Sequence, residues 1–265
     1  MCNRNFYKKE RYILKMNVIT FNLRYCDDPN QNAIAERAPR LHKILSHYDA
    51  DILCFQEISK TWQSHLESDY GKSYDMYLQY RNKTVNGEAL SILWKKDKFE
   101  YLNRGCFWLS DTPEVESRGW DEVYNCFRIC TYVILKEKET GKSFVVMNTH
   151  YGFGDNGQVD SSKLIYAYSK RISNLPTFVT GDFNMHYTSP GYATMTQLFR
   201  DVNTCTTNDL RPTWHNYKPE VILPQHIDYC FIDDQFTPID QIIITDTVDG
   251  KFPSDHFGLY FTLAL

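Results

Sequence analysis

A series of short apolar segments, separated by turn-forming residues, constrains the fold of this chain more than any other feature. A first strand is predicted at 17–25, and further runs follow at 51–56, 90–94, 127–135, 143–149, 177–183, 227–232 and 257–263. These runs are rich in β-branched and aromatic residues and are too short to be buried helices. The chain is therefore predicted to contain many β-strands.

Two other segments have the periodicity of helices. Residues 34–47 and 161–174 carry apolar side chains at helical spacing, and Pro39 is expected to interrupt or begin the first helix. The charged segment 136–142 contains a glycine and predicts a hairpin between two strands. Many strands with a few interleaved helices indicate an α/β protein. We predict a four-layer α/β sandwich, in which two central, mostly antiparallel β-sheets are flanked by helices.

The domain organisation is predicted to be simple. No internal repeat, low-complexity tract or linker marks a boundary within the 265 residues. Because α/β folds reach about 250 residues as one unit, a single domain over residues 16–265 is the simpler interpretation. Residues 1–15 are predicted to form a poorly ordered or appended N-terminal arm.

Charge and cysteine content bear on the partners and location of the chain. The formal net charge of −4 provides no overall attraction to nucleic acid phosphates, which disfavours tight binding of duplex DNA but does not exclude a local basic patch. The eight scattered cysteines indicate reduced thiols rather than a zinc site. The basic N-terminal segment lacks the apolar stretch of a secretory signal, and no run has the length of a membrane span. We expect a cytoplasmic monomer without an obligate protein partner.

Residues that bind metals or transfer protons lie at the ends of the predicted strands. They are Asn22, Glu57, His150, Asp182, Asn184 and Asp228, and the pair Asp255 and His256 precedes the last strand. Side chains alternate between the two faces of a strand, so Asp182 and Asn184 project from the same side. Several neighbouring acids repel one another unless a cation is bound, and oxygen ligands favour Mg²⁺ or Mn²⁺. The pattern predicts a metal-assisted hydrolase.

Each of these residues has a simpler interpretation when it is taken alone. Asp and Asn favour turns and helix caps after strands, and a single buried histidine more often serves packing than catalysis. The functional interpretation therefore depends on the presence of six such motifs in one chain.

The six motifs, in this order and at these separations, resemble those of one superfamily. TFNLRY, CFQE, MNTH, TGDFN, HIDYCF and PSDH are similar to the motif series of the endonuclease/exonuclease/phosphatase superfamily, which has the deoxyribonuclease I-like fold. The resemblance extends over residues 17–265. Three further segments, GEALSILW at 87–94, FWLSDTPE at 107–114 and SRGW at 117–120, resemble its bacterial metal-dependent hydrolases.

The resemblance implies roles for the metal and for the attacking water. Glu57 would be the principal ligand of a Mg²⁺ cofactor, for which Mn²⁺ is a substitute. Asn22 would lie beside Glu57, and Asp255 would be a further carboxylate on the metal side. Asp182 would orient or deprotonate the attacking water, which Asn184 would position.

The remaining residues would contact the substrate phosphate. By the same resemblance, His256 would contact a phosphate oxygen or transfer a proton while Asp228 orients its ring. His150 resembles a second histidine that faces the phosphate, and Glu88 stands where some members have the carboxylate partner of that histidine. Imidazole and amide donors, together with a divalent cation, stabilise the negative charge that develops on the phosphate oxygens when water attacks phosphorus.

Three residues are open to two interpretations. Arg128 is a charged residue in an apolar strand and either contacts phosphate or faces solvent. Trp108 either stacks on a base or sugar or packs in a loop. Arg24 stands where several nucleases of the superfamily have an acid, which removes a metal ligand there but offers a second phosphate contact. After MNTH, residues 151–153 also depart from the Leu-Asp-His that many relatives have.

The sequence therefore predicts a Mg²⁺-dependent phosphoesterase that hydrolyses a phosphodiester in a nucleic acid or nucleotide. The alternative is a phosphatase or phosphodiesterase that acts on a sugar phosphate or a phospholipid head group, because a fold does not determine a substrate. A catalytically inactive binding module is disfavoured because the motif residues are complete.

Overall fold

The computed structural model describes residues 13–83, 87–220 and 225–265. The strands are β1 (Lys15–Asn22), β2 (Ile52–Ile58), β3 (Tyr74–Tyr80), β4 (Ala89–Lys95), β5 (Phe99–Trp108), β6 (Ile129–Glu137), β7 (Ser143–His150), β8 (Thr177–Asp182), β9 (Arg200–Asp201), β10 (Asp228–Ile232), β11 (Thr237–Ile244) and β12 (Gly258–Ala264). The helices are α1 (Ile34–Leu45), α2 (Lys60–Tyr70), α3 (Asp155–Ile172), α4 (Pro190–Leu198) and α5 (Val202–Cys205). No helix in these ranges has both the length and the apolar character needed to cross a membrane.

The strands form two six-stranded sheets. The first has the order β11-β12-β1-β2-β4-β3 and the second the order β5-β6-β7-β8-β10-β9. Neighbouring strands are antiparallel except for one parallel pair in each sheet, β1 with β2 and β7 with β8. Helix α1 connects the first parallel pair and α3 connects the second, because parallel neighbours require a crossover.

The apolar residues form three layers of core. One cluster fills the space between the sheets and includes Val18, Val146 and Phe178. A second cluster packs α1 and α2 on the outer face of the first sheet, and a third packs α3 and α4 on the outer face of the second. The strands are thus covered on both faces, which explains their nearly continuous apolar sequences. This arrangement confirms the predicted four-layer α/β sandwich.

Two local expectations are corrected. Helix α1 begins at Ile34 and continues through Pro39, which lies in its second turn and removes only one backbone hydrogen bond. The predicted arm of residues 1–15 lies largely outside the described residues, but its end belongs to the fold. Leu14 is 3% exposed and exchanges two backbone hydrogen bonds with Leu265, and β1 begins at Lys15.

Gly181 precedes Asp182 in β8 at a point where the chains approach closely. Its φ is +149°, and an added Cβ would lie 2.0 Å from the carbonyl oxygen of Thr149 on β7. Because that oxygen belongs to a central strand, it cannot move away cheaply. We expect Gly181→Ala to lower the free energy of unfolding by about 3 kcal/mol in chemical denaturation.

Gly141 provides the matched control for this substitution. It has a φ of +71° in the β6–β7 hairpin, and nothing lies within 4 Å of an added Cβ. Gly141→Ala is therefore expected to cost only about 1 kcal/mol, from backbone strain alone. Equal losses in the two variants would contradict the assigned cause.

Candidate active site

The predicted site residues gather at the carboxyl ends of the two parallel strand pairs. Asn22 ends β1 and Glu57 lies near the end of β2, whereas His150 ends β7 and Asp182 ends β8. His150 is the register partner of Asp182, and Asp182 is also the partner of Asp228 at the start of β10. In α/β sheets this edge is the usual place for a ligand site.

Asp182 lies at the centre of the site and connects the two sheets. Its Oδ2 accepts a hydrogen bond of 2.9 Å from Nδ2 of Asn22, which belongs to the other sheet. The same oxygen lies 3.5 Å from Nε2 of His150 and 3.8 Å from Nε2 of His256. Two imidazoles and one amide therefore face a single carboxylate that is 1% exposed.

Glu57 lies beside this centre because β2 is irregular at its end. The register with β4 shifts between Phe55 and Ile58, and Glu57 itself has a φ of +58°. Its Oε1 accepts from Asn22 Nδ2 at 3.0 Å, and its Oε2 accepts from the backbone N–H of Tyr25 at 3.0 Å. A β-bulge redirects a side chain out of the regular alternation, and here it turns the carboxylate towards the cleft.

His256 is held by Asp228. The Nδ1 atom of His256 lies 3.0 Å from Oδ2 of Asp228, and Ser254 Oγ accepts from the His256 backbone N–H at 3.3 Å. Ser254 Oγ also donates to the carbonyl oxygen of Asn22 at 2.6 Å, which joins the SDH segment to β1. The imidazole is thus fixed with Nε2 directed towards Asp182.

The two histidines differ in charge. Burial acts to lower the pKa of His256, but the carboxylates of Asp228 and Asp182 outweigh it and raise this pKa to about 10. Burial lowers the pKa of His150 well below its usual value, and the guanidinium of Arg128 lowers it further. At neutral pH the site therefore presents one imidazolium and one neutral imidazole.

Two acids of the site have raised pKa values. Burial is the main cause that raises the pKa of Asp182 to about 7, and the charge of Asp228 is the second. Burial and the neighbouring Glu57 raise the pKa of Glu88 to about 7. Both carboxyl groups are thus costly to keep ionised without additional positive charge.

The residues present can accommodate a divalent metal ion. Two groups of side chains have ligand atoms within 4.8 Å of one another, one formed by Glu57, Glu88 and His150 and the other by Asp182, Asp228 and His256. The first group fits a cation because its imidazole is neutral, whereas the imidazolium of His256 has no lone pair to offer a metal. The raised pKa of two buried acids is the physical sign that a cation would be stabilised there.

Asn184 is positioned by an unusual backbone conformation. Its φ is +47°, a value that asparagine tolerates better than most residues. Its backbone N–H donates to Asp182 Oδ1 at 2.9 Å and its side-chain amide donates to the carbonyl oxygen of Tyr151 at 2.9 Å. The carbonyl oxygen of Asn184 accepts from Gln158 on α3 at 2.7 Å. The GDFN motif thus ends β8 in a rigid turn.

Arg128 is buried and reaches the site. It is 6% exposed, and its Nε donates to Asp121 Oδ2 at 3.1 Å. Its Nη1 is buried without a hydrogen-bond partner among the described residues, although the side chain lines the cleft. A buried donor without a partner is costly, and a substrate anion would satisfy it. The solvent-facing interpretation of Arg128 is therefore wrong.

Three predicted residues have surroundings that the sequence did not indicate. Asp255 is absent from both metal-competent groups, and its Oδ2 lies 3.3 Å from Trp214 Nε1 and 3.9 Å from Arg24 Nε. Arg24 also pairs with Asp28 at 3.0 Å. The side chain of Trp108 does not line the cleft within the described ranges. Its indole N–H donates to the backbone carbonyl of Arg81 at 2.9 Å, so Trp108 holds the backbone of a residue that does line the cleft.

Sequence reasoning missed other residues of the cleft, which has a volume of about 800 Å³. Arg81 pairs with Glu88 at 2.5 Å, and the cleft is also lined by Tyr25, Tyr124, Cys126, Phe153, Trp214, Gln225 and Ile227. These residues lie in loops or at strand ends without a distinctive local pattern. Among them, only Arg81 has a sequence pattern that could have identified it, because it is a charged residue directly after the tyrosine-rich segment 74–80.

Comparison with known proteins identifies the family. Residues 19–256 match the model of the Endonuclease/Exonuclease/phosphatase family, which covers most of the chain. The chain belongs to this family. The resemblance predicted from the six motifs is therefore confirmed, and the two enzyme types in the family name, nucleases and phosphatases, both hydrolyse phosphoester bonds.

Solved structures of bacterial family members are similar over nearly their whole length. A family protein from Bacteroides thetaiotaomicron is 28% identical, with 96% of this chain and 99% of that chain covered and a TM-score of 0.88. A mannosyl-6-phosphatase from the same organism is also 28% identical, with coverages of 94% and 100% and a TM-score of 0.84.

Curated relatives match a smaller share of the chain. An uncharacterised protein, R895, of Acanthamoeba polyphaga mimivirus is 24% identical over 217 residues, which are 67% of this chain and 31% of that protein. A second mimivirus protein is 28% identical over 142 residues. The chain spans 31% and 53% of the lengths of these two relatives.

Proposed function

We propose that this chain is a Mg²⁺-dependent phosphoesterase whose substrate is a small phosphorylated molecule, first of all a sugar phosphate. The observation that carries the proposal is the convergence of Asn22, His150 and His256 on the buried carboxylate of Asp182 in one cleft. A cleft of about 800 Å³ lies within the usual range for small-molecule sites.

Glu57 supplies the oxygen atoms that would hold the metal ion, with Glu88 and His150 close by, and Asn22 orients Glu57 by donating from Nδ2 to its Oε1. Hard oxygen ligands suit Mg²⁺, for which Mn²⁺ is a substitute. When bound, the ion supplies positive charge that stabilises the developing charge on the phosphate oxygens. It would also offset the repulsion between Glu57 and Glu88.

The protein residues have distinct roles in the hydrolysis. Asp182 accepts the proton of the attacking water, which the side chain of Asn184 orients. The water oxygen bonds to phosphorus as the bond from phosphorus to the sugar oxygen breaks, and the sugar oxygen takes up a proton from solvent. The imidazolium of His256, fixed by Asp228, donates a hydrogen bond to a non-bridging oxygen as negative charge accumulates there. The unpartnered Nη1 of Arg128 binds a second phosphate oxygen.

The charge of the cleft favours a small substrate over a polynucleotide. Arg24 is paired with Asp28, and Arg81 with Glu88, so only Arg128 retains an unpartnered buried donor among the described arginines of the cleft. A nucleic acid strand binds through several free cations along its phosphates. The similarity to a mannosyl-6-phosphatase supports the same choice. This order of substrates reverses the one drawn from the sequence.

A nucleotide is the second candidate. The observation that favours it is the presence of exposed aromatic rings on the cleft, Tyr25 at 41% and Tyr124 at 65% exposure, since a base stacks on such rings.

Removal of the metal tests the proposed function. After treatment with EDTA, hydrolysis of mannose 6-phosphate is expected to fall about 100-fold and to recover when Mg²⁺ is added, because no other cation offsets the charge of the transition state. Phosphate release is measured with mannose 6-phosphate, nucleoside monophosphates, cyclic nucleotides and a single-stranded oligonucleotide.

The control is a parallel sample dialysed without EDTA. Unchanged turnover after EDTA would contradict the role of the metal. Hydrolysis of the oligonucleotide alone would contradict the proposed substrate class and leave the phosphoesterase reaction intact.

A further inference from the structure

An exposed aromatic side chain lies on the active-site cleft and takes no part in the chemistry described above. Tyr124 is 65% exposed, although large aromatic side chains are usually buried. Its ring meets the edge of Phe153 with the centroids 5.3 Å apart and the planes at 77°. Both residues line the same cleft as Asp182 and His256.

The backbone holds Tyr124 in this position. Asp121 Oδ1 accepts from the backbone N–H groups of Val123 and Tyr124, at 3.2 and 2.8 Å. The preceding backbone N–H, that of Glu122, donates to the carbonyl oxygen of Phe153 at 2.9 Å. The turn is therefore pinned both internally and to the segment that carries Phe153, so little conformational entropy is lost when a ligand contacts Tyr124.

The same turn is joined to the residue that binds phosphate. Asp121 Oδ2 accepts from Nε of Arg128, while its Oδ1 holds the turn. Asp121 is 4% exposed, so this connection is shielded from water. The backbone of Tyr124 is thus fixed relative to the Arg128 side chain by a single buried carboxylate, and Phe153 contacts the Tyr124 ring.

We propose that Tyr124, supported by Phe153, forms the subsite on which the sugar ring of the substrate stacks while Arg128 binds the phosphate group. The sugar is the leaving group of the reaction. This inference rests on the proposed phosphatase function and adds the part of the substrate that is recognised. A pyranose has an apolar face of C–H groups and a rim of hydroxyl groups. The face suits an exposed aromatic ring, and the rim suits polar residues.

The polar residues required by the hydroxyl rim line the same cleft. They are Arg24, Asn184 and Gln225, which offer donors and acceptors beside the aromatic residues. Arg24 keeps its partner Asp28 and Asn184 keeps the Tyr151 carbonyl, whereas sugar hydroxyl groups would pair with the Gln225 amide, which an apolar leaving group could not do. The combination therefore favours a hydroxylated ring over a plain hydrocarbon.

The neighbouring Val123 provides a matched control. It lies in the same turn and is 62% exposed, but it does not line the cleft. Its truncation tests whether disturbance of the turn alone changes activity.

The test compares substrates with and without a ring in the Mg²⁺-loaded full chain. The kcat/KM values for mannose 6-phosphate, glycerol 3-phosphate and a nucleoside monophosphate are measured for the wild type and for Tyr124→Ala, Tyr124→Phe and Val123→Ala. Tyr124→Ala is expected to lower the ratio of the mannose 6-phosphate value to the glycerol 3-phosphate value about 10-fold, equivalent to about 1.4 kcal/mol, through a higher KM for the sugar phosphate. Tyr124→Phe keeps the stacking ring and should restore the ratio, and Val123→Ala should retain it.

An unchanged ratio in Tyr124→Ala, or the same fall in Val123→Ala, would overturn the subsite. A larger loss for a nucleoside monophosphate than for mannose 6-phosphate would overturn the assignment of a sugar ring. If the wild type hydrolyses none of these phosphomonoesters with Mg²⁺, the proposed function itself fails, which is a different result from a failure of the subsite alone.

Discussion

Asp182→Asn is expected to lower kcat by about 10⁴-fold, the upper end of the range for loss of a general base. Asparagine has the same shape and can still accept the hydrogen bond from Asn22, but it cannot take a proton from water. It also removes the negative charge that faces His150 and His256. Since one buried carboxylate is replaced by a neutral amide, the fold should remain intact. Steady-state kinetics and circular dichroism of the same sample measure both properties.

A second buried acid provides the control for Asp182. Asp201 is 2% exposed, accepts a hydrogen bond of 2.7 Å from the hydroxyl of Tyr192 and has a pKa raised to about 6 by burial. It lies in β9, at the edge of its sheet, and does not line the cleft. Asp201→Asn should therefore retain nearly full activity. Activity of Asp182→Asn within 10-fold of wild type would refute its role as the base.

The second large effect is expected for His256→Gln, with a fall in kcat of about 10³-fold. Glutamine preserves a polar side chain but has no ionisable ring, so the positive charge set by Asp228 is lost. This charge interacts mainly with the developing oxyanion and less with the ground-state substrate. KM should therefore change much less than kcat.

His42→Gln is the control for the histidine substitution. His42 lies on α1, where its ring packs against the edge of Tyr70 and has no contact with the cleft. This variant should retain wild-type kinetics. A rise in KM for His256→Gln with kcat unchanged would show that His256 binds the ground state, contrary to the proposed role.

The sequence predicted the interior strands and failed at the edges of the sheets. Interior strands such as β7 and β8 are covered on both faces and therefore have apolar sequences that a local pattern reveals. The missed strands β3, β5, β9 and β11 are all edge strands. An edge strand pairs on one side only and tolerates polar residues, as the five consecutive exposed residues within β5 show. Helices α2 and α4 were also missed, because their apolar periodicity is weak.

The motif residues could be identified from the sequence because each lies at or next to one end of an apolar strand, so its position is decided by a few neighbouring residues. That rule located Glu57, Asp182, Asp228 and His256, and the structure brings all four to one edge of the sandwich. The family assignment followed from the same short motifs.

Only the tertiary structure decided which partners these residues have. Asn22 and Asp182 are 160 residues apart and form a hydrogen bond between the two sheets. Arg81 forms an ion pair with Glu88, and the Trp108 indole donates to the Arg81 carbonyl oxygen. The pairing of strands and the distance between the sheets determine such contacts, and neither can be read from a local pattern. Periodicity specifies which face of a strand a side chain occupies, whereas the residues opposite that face come from distant parts of the chain.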